Sequence, residues 1–179
     1  LYTQLVREKP AHIQALMEYI WALFQRGPAW SKLIADSLAT LKQLEPFAVG
    51  SLRTEVARTL SFHYLYDELG GGFREAINAA NRYNASSDLV PDAGVEINLA
   101  CALGQAYIAE TNPESRTSIR DQALAAVRKA LEINPLSIAR LVVLLEGQDP
   151  MDDDLVVFQR DNEFRALLKL PLVKNDGSP

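Results

Sequence analysis

Apolar side chains recur along this chain every three or four positions, with no convincing run of strict alternation. Between Ala11 and Arg26 they fall at Ile13, Leu16, Met17, Ile20, Leu23 and Phe24, one face of a helix at 3.6 residues per turn. Gly27-Pro28 ends that stretch by removing a donor and admitting a reversed backbone. A second helix is predicted from about Trp30 to Leu44, with Leu33, Ile34, Leu38, Leu41 and Leu44 inward and Pro46 beyond it. Val56 to Leu69 reads as a third, Gly70-Gly71-Gly72 as a turn, and Phe73 to Asn84 as the returning helix. A small-residue helix follows from about Ile97, then one carrying Ala123, Val127 and Ala130 and closed by Pro135. Ser137 to Glu146 gives another, broken by Gly147-Gln148-Asp149-Pro150. The pattern predicts an all-α fold of about seven to nine helices with no sheet.

One stretch is more specific. Ala100, Leu103-Gly104-Gln105-Ala106-Tyr107, Ala123, Val127, Ala130 and Pro135 follow the order W-x2-L-G-x2-Y, A-x3-F, P, and resemble one helix–turn–helix repeat of the tetratricopeptide family. Small residues at those places let two antiparallel helices approach closely. Gly71, Phe73 and Ala76 are similar to the turn glycine, aromatic and small residue of a preceding repeat, framing residues 57–90 at the family period of about 34 residues. That frame departs from the pattern at His63-Tyr64, where Leu-Gly is expected, and at Asp88, where proline is. The next frame, 97–137, is seven residues longer. Two readings of the insertion stand side by side. Either Asn112-Pro113-Glu114 starts a second helix lengthened by two turns, or Thr111 to Thr117 is a loop and Ser118-x-x-Asp121 the capping box.

The resemblance implies an α-solenoid of antiparallel hairpins, a tetratricopeptide-like superhelix. Residues 1–170 would form one domain, with hairpins at about 11–46, 57–90 and 97–137, the first only repeat-like. Residues 138–170 would cap it and 171–179 would be a flexible tail. Asp154 to Leu168 looks like the D-L-x-x-L-x-x-D-P-x-F-x-x-L segment that ends many bacterial members, with Asn162 in place of the proline. A solenoid's last hairpin exposes an apolar face that something must cover.

Composition narrows the classes. In 179 residues, 48% hydrophobic and 23% charged, there is material for one compact domain. The single cysteine, Cys101, and two histidines, His12 and His63, exclude a disulfide framework and fall short of a Cys/His zinc set. A reducing, cytoplasmic compartment fits better. No apolar run approaches the length of a membrane helix. The chain starts at Leu1 in helical sequence, which reads as a piece of a longer, multidomain protein. Residues 1–90 hold nine basic and nine acidic side chains and residues 91–179 nine and fourteen, so the net negative charge lies in the second half. Nucleic acid is disfavoured by that balance.

Candidate chemistry is sparse. His63 and Asp67 stand four apart as base and orienter would, yet no serine or cysteine sits in an activating context, and a structural histidine is the stronger reading. Cys101, inside an apolar stretch, reads as a small buried hydrophobe. Asp149, Asp152, Asp153 and Asp154 lack the ligand spacing and glycine of a calcium loop. Gly70 to Gly72 have neither a P-loop lysine nor a preceding Rossmann strand. Neither a cofactor nor a metal is therefore expected, and the chain itself reads as noncatalytic.

Function then rests on the concave surface the resemblance implies. Its groove positions fall at Arg58, Ser61, Leu65 and Glu68, then Asn98, Cys101 and Gln105. Asn98 and Gln105 would hydrogen-bond a peptide backbone and Arg58 a carboxylate, and alanine at these three should leave folding intact. The lysine and asparagine clamp that binds chaperone tails is not matched. A protein–protein interaction module with a peptide or protein partner is the leading expectation. An oligomerisation element forming a homodimer, and an enzyme with an unrecognised helical site, are the alternatives.

Overall fold

The computed structural model describes residues 2–66, 69, 71–148 and 153–173, with backbone alone for 2–9. Among them are eight α-helices packed against one another and no strand. They are α1 (Tyr2–Phe24), α2 (Ser31–Leu44), α3 (Ser51–His63), α4 (Gly72–Asn84), α5 (Ala93–Ala109), α6 (Pro113–Ile133), α7 (Ile138–Glu146) and α8 (Asn162–Leu167). Helix α1 packs on α2, α3 on α4 and α5 on α6, while α1 also meets α3, and α5 meets both α3 and α4. None among the described residues is long and apolar enough to cross a membrane.

The apolar stripes face inward as their spacing requires. Ile13, Met17, Ile20 and Leu23 of α1 meet Ile34, Leu38 and Leu41 of α2 and Val56 and Leu60 of α3 in one buried cluster. Ala100, Cys101 and Leu103 of α5 meet Ala123, Val127 and Ala130 of α6 and Leu141, Leu144 and Leu145 of α7 in another. Leu65 and Ile77 touch both clusters, so the core is continuous.

Three boundaries differ from the sequence expectation. Helix α1 begins well before Ala11 and carries Pro10 inside it. Helix α3 occupies Ser51–His63, not 56–69. It starts directly after Gly50, with polar side chains that periodicity does not register, and it ends where the aromatic residues crowd. Past His63 the chain tightens, Leu65 and Tyr66 donating to the carbonyls of Phe62 and His63, which lays Tyr64 across Gly71. A Cβ on Gly71 would come within 2.8 Å of three Tyr64 carbons, so only glycine admits that contact. Helix α5 begins at Ala93, capped by Asp92, whose Oδ1 accepts from the Val95 amide at 3.0 Å.

The insertion is helical. Asn112 Oδ1 accepts from the amides of Glu114 and Ser115, and α6 runs unbroken from Pro113. From its added first turns it reaches both α5 and the closing segment. Arg116 stacks over the Tyr107 ring at 4.3 Å, and Arg120 holds Asp161 in a two-pronged bond of 2.8 and 2.9 Å. Asp161 in turn caps α8 through the Glu163 amide. Below that anchor Tyr107 meets Phe158, which stacks on Phe164 at 4.5 Å. The closing segment is thus a tight turn at Val156–Phe158 followed by the short α8. Residues 171–173, expected with the tail, run back along α8: Asn162 exchanges two hydrogen bonds with the Val173 backbone and Arg165 donates to the Pro171 carbonyl. Residues 174–179 lie outside the described residues.

Gly104 was expected where two helices nearly touch. What it faces instead is the closing segment, since a Cβ there would stand 2.1 Å from the Asp154 carbonyl oxygen.

Candidate functional site

A depression of about 220 Å³ opens where α1, α3, α5 and α7 converge. Its walls come from the helix spacings themselves. Trp21 follows the buried Met17 by one turn on α1; Phe62 follows Arg58 on α3; Ile97 and Cys101, like Arg140 and Leu144, are four apart. Such i, i+4 pairs lie one above the other on a helix. Trp21 stacks on Phe62 with centroids 5.1 Å apart and remains 37% exposed.

Of the positions expected from the sequence, Arg58, Leu65, Asn98 and Cys101 line this depression together. Ser61 is fully buried below it. Its hydroxyl receives the Asn98 Nδ2 at 3.0 Å, and the same amide nitrogen donates to the Arg58 carbonyl at 3.2 Å. Gln105 is absent from the lining: its Nε2 donates to the Leu65 carbonyl at 3.0 Å and to Asp154 Oδ1 at 2.7 Å. Glu68 and Asp67 lie outside the described residues, as do Asp149 and Asp152.

The amides therefore have a structural task that spacing alone hides. α3 stops at His63, and the half-buried Leu65 carbonyl beyond it has no backbone partner among the described residues. Gln105 supplies a side-chain donor from forty residues away. The expectation that Asn98 and Gln105 could be cut back without disturbing the fold is corrected by these bonds. Trp21, Phe62 and Leu144 were missed for the opposite reason. They border or belong to the apolar faces already counted as core, and only the meeting of four helices leaves them lining an opening.

Arg58 is held in place from the side. Its guanidinium bonds both oxygens of Asp92, at 3.2 and 2.5 Å, and this pairing raises its pKa above the usual arginine value. Because Asp92 also caps α5, one carboxylate fixes both the helix start and the cation beside the depression.

His63 stands behind the wall, fully buried. Trp21, Phe24 and Phe62 surround the ring at centroid distances of 4.6, 5.0 and 5.1 Å. Nδ1 donates to the Thr59 carbonyl at 2.8 Å, which places the lone pair on Nε2, an atom with no hydrogen-bond partner among the described residues. Burial pushes its pKa down to about 4. The imidazole is neutral at pH 7 and reaches no solvent, so it can pack but has no route to a substrate proton.

No protein-family model, curated protein or solved structure matches this chain.

Proposed function

We propose that this chain is a noncatalytic interaction module of tetratricopeptide type, a superhelix whose concave face binds a peptide or protein segment. The observation that carries the reading is which helices line the depression. α1, α3 and α5 are the first helices of three successive hairpins, and all three contribute to one opening, as the inner row of such a superhelix would. Its chemistry agrees. The lining is mostly apolar, the Asn98 amide nitrogen and the Arg58 guanidinium beside it are engaged within the protein, and the nearest imidazole is sealed away. Such a surface can hold a side chain, and the Cys101 thiol in its lining is only 3% exposed with no base among the lining residues.

Panning a displayed random-peptide library against the purified protein tests this. Enriched peptides should compete with one another and lose most of their affinity for Trp21→Ala, a substitution at a partly exposed position. The reading fails if nothing is enriched, or if enriched peptides bind the variant as tightly as the parent.

A further inference from the structure

The apolar depression does not stand alone. A second one, of about 280 Å³, lies on the other side of Trp21 and Arg58, which line both. Glu18 of α1 and Glu55 of α3 enter it from opposite helices. Four glutamates nearby and elsewhere are matched with cations, Glu75 with Lys42, Glu45 with Arg82, Glu96 with Lys129 and Glu146 with Arg165, while others on the open surface, such as Glu114 and Glu132, carry no ion pair among the described residues. Glu18 and Glu55 are also left out of that pairing. Glu18 accepts one bond, from the neutral Gln14 amide at 3.2 Å, and the Glu55 carboxylate has neither ion pair nor hydrogen bond among the described residues, acting on Arg58 only through space. Arg58, the cation on the shared wall, is already turned onto Asp92. Two like charges thus face one small space beside a tryptophan whose far side is stacked on Phe62. That is the complement of a lysine or arginine side chain, which the carboxylates attract and the indole face accepts.

From this juxtaposition we infer that the partner segment carries an apolar anchor for the first depression and a basic residue for the second. This rests on the groove reading above and adds the partner's chemistry. Glu55 and Phe62 are two helical turns apart, roughly 10 Å, which an extended segment crosses in about three residues. The motif is therefore an apolar residue and a lysine or arginine about three positions away.

The chain's two tryptophans are Trp21 and Trp30, so Trp30→Phe leaves Trp21 as the sole indole reporter of both depressions. Synthetic nonapeptides with a fixed leucine, and lysine, glutamine or glutamate three positions along in either direction, are titrated against its fluorescence. One of the lysine peptides should bind about three- to tenfold more tightly than its glutamine counterpart, with glutamate weakest, and the spread should shrink as salt is raised. In Glu18→Gln/Glu55→Gln, both exposed positions, the lysine peptide should fall to the glutamine peptide's affinity while the glutamine peptide is unchanged. Equal affinities for all three classes overturn the inference and leave the groove reading standing; a lysine preference that survives the double substitution overturns it too. If no peptide perturbs Trp21, the groove reading falls and the inference with it.

Discussion

Acidification should weaken this fold through His63 before its carboxylates titrate fully. In the unfolded chain the imidazole protonates near pH 6.5, whereas in the folded protein burial among Trp21, Phe24 and Phe62 holds its pKa at about 4. A cation depressed in this way binds its proton more readily when unfolded, so the stability is complete above pH 6.5 and is lost as pH falls from there to 4. The full span of about 2.5 pH units corresponds to about 3 kcal/mol. At pH 5 about 2 kcal/mol of it is gone, a substantial part of the ~5–15 kcal/mol that holds a typical domain. Other groups titrate as well, so the informative quantity is a difference between proteins. Urea unfolding at pH 7.5 and pH 5 should show the parent losing about 2 kcal/mol more than His63→Leu. The substitution removes the unpaired Nε2 and costs the bond to the Thr59 carbonyl, an acceptor that also serves the helix ladder. Stability curves for parent and variant that run parallel between these pH values would refute the reasoning.

Two further substitutions probe the contacts that close the structure. Gly104→Ala places a methyl group 2.1 Å from the Asp154 carbonyl oxygen and should lower stability by about 1–3 kcal/mol by overpacking; an unchanged thermal midpoint would mean the closing segment does not sit against α5. Gln105→Ala removes the bond to the Leu65 carbonyl and the tie to Asp154, so a loss of about 1–3 kcal/mol is expected in urea unfolding, and a neutral result would place Gln105 outside the packing.

Much of this fold is legible in the chain. The 3.6-residue spacing at Ile13 to Leu23 and at Ile34 to Leu41 fixes two helices and their buried faces, because an apolar stripe can be satisfied only by turning it inward. Turn chemistry at Gly27-Pro28, Gly70 to Gly72 and Gly147 marks breaks for equally local reasons. Asn112-Pro113-Glu114 holds a sufficient start signal, yet Ser118-x-x-Asp121 offers a rival, and the choice is made by Arg116 and Arg120, whose partners Tyr107 and Asp161 are brought near by the fold.

What periodicity reports is that a residue is covered, never by what. Gly104 could be seen as small, but the backbone it accommodates lies fifty residues on, at Asp154. Asn98 and Gln105 could be seen as polar on an inner face, but their acceptors include carbonyls of a helix and turn forty residues earlier. The pairing of an apolar depression with an acidic one across Trp21 is of the same kind. Glu18 and Glu55 are ordinary exposed acids in the sequence, thirty-seven positions apart, and only the packing of α1 on α3 turns them toward one space.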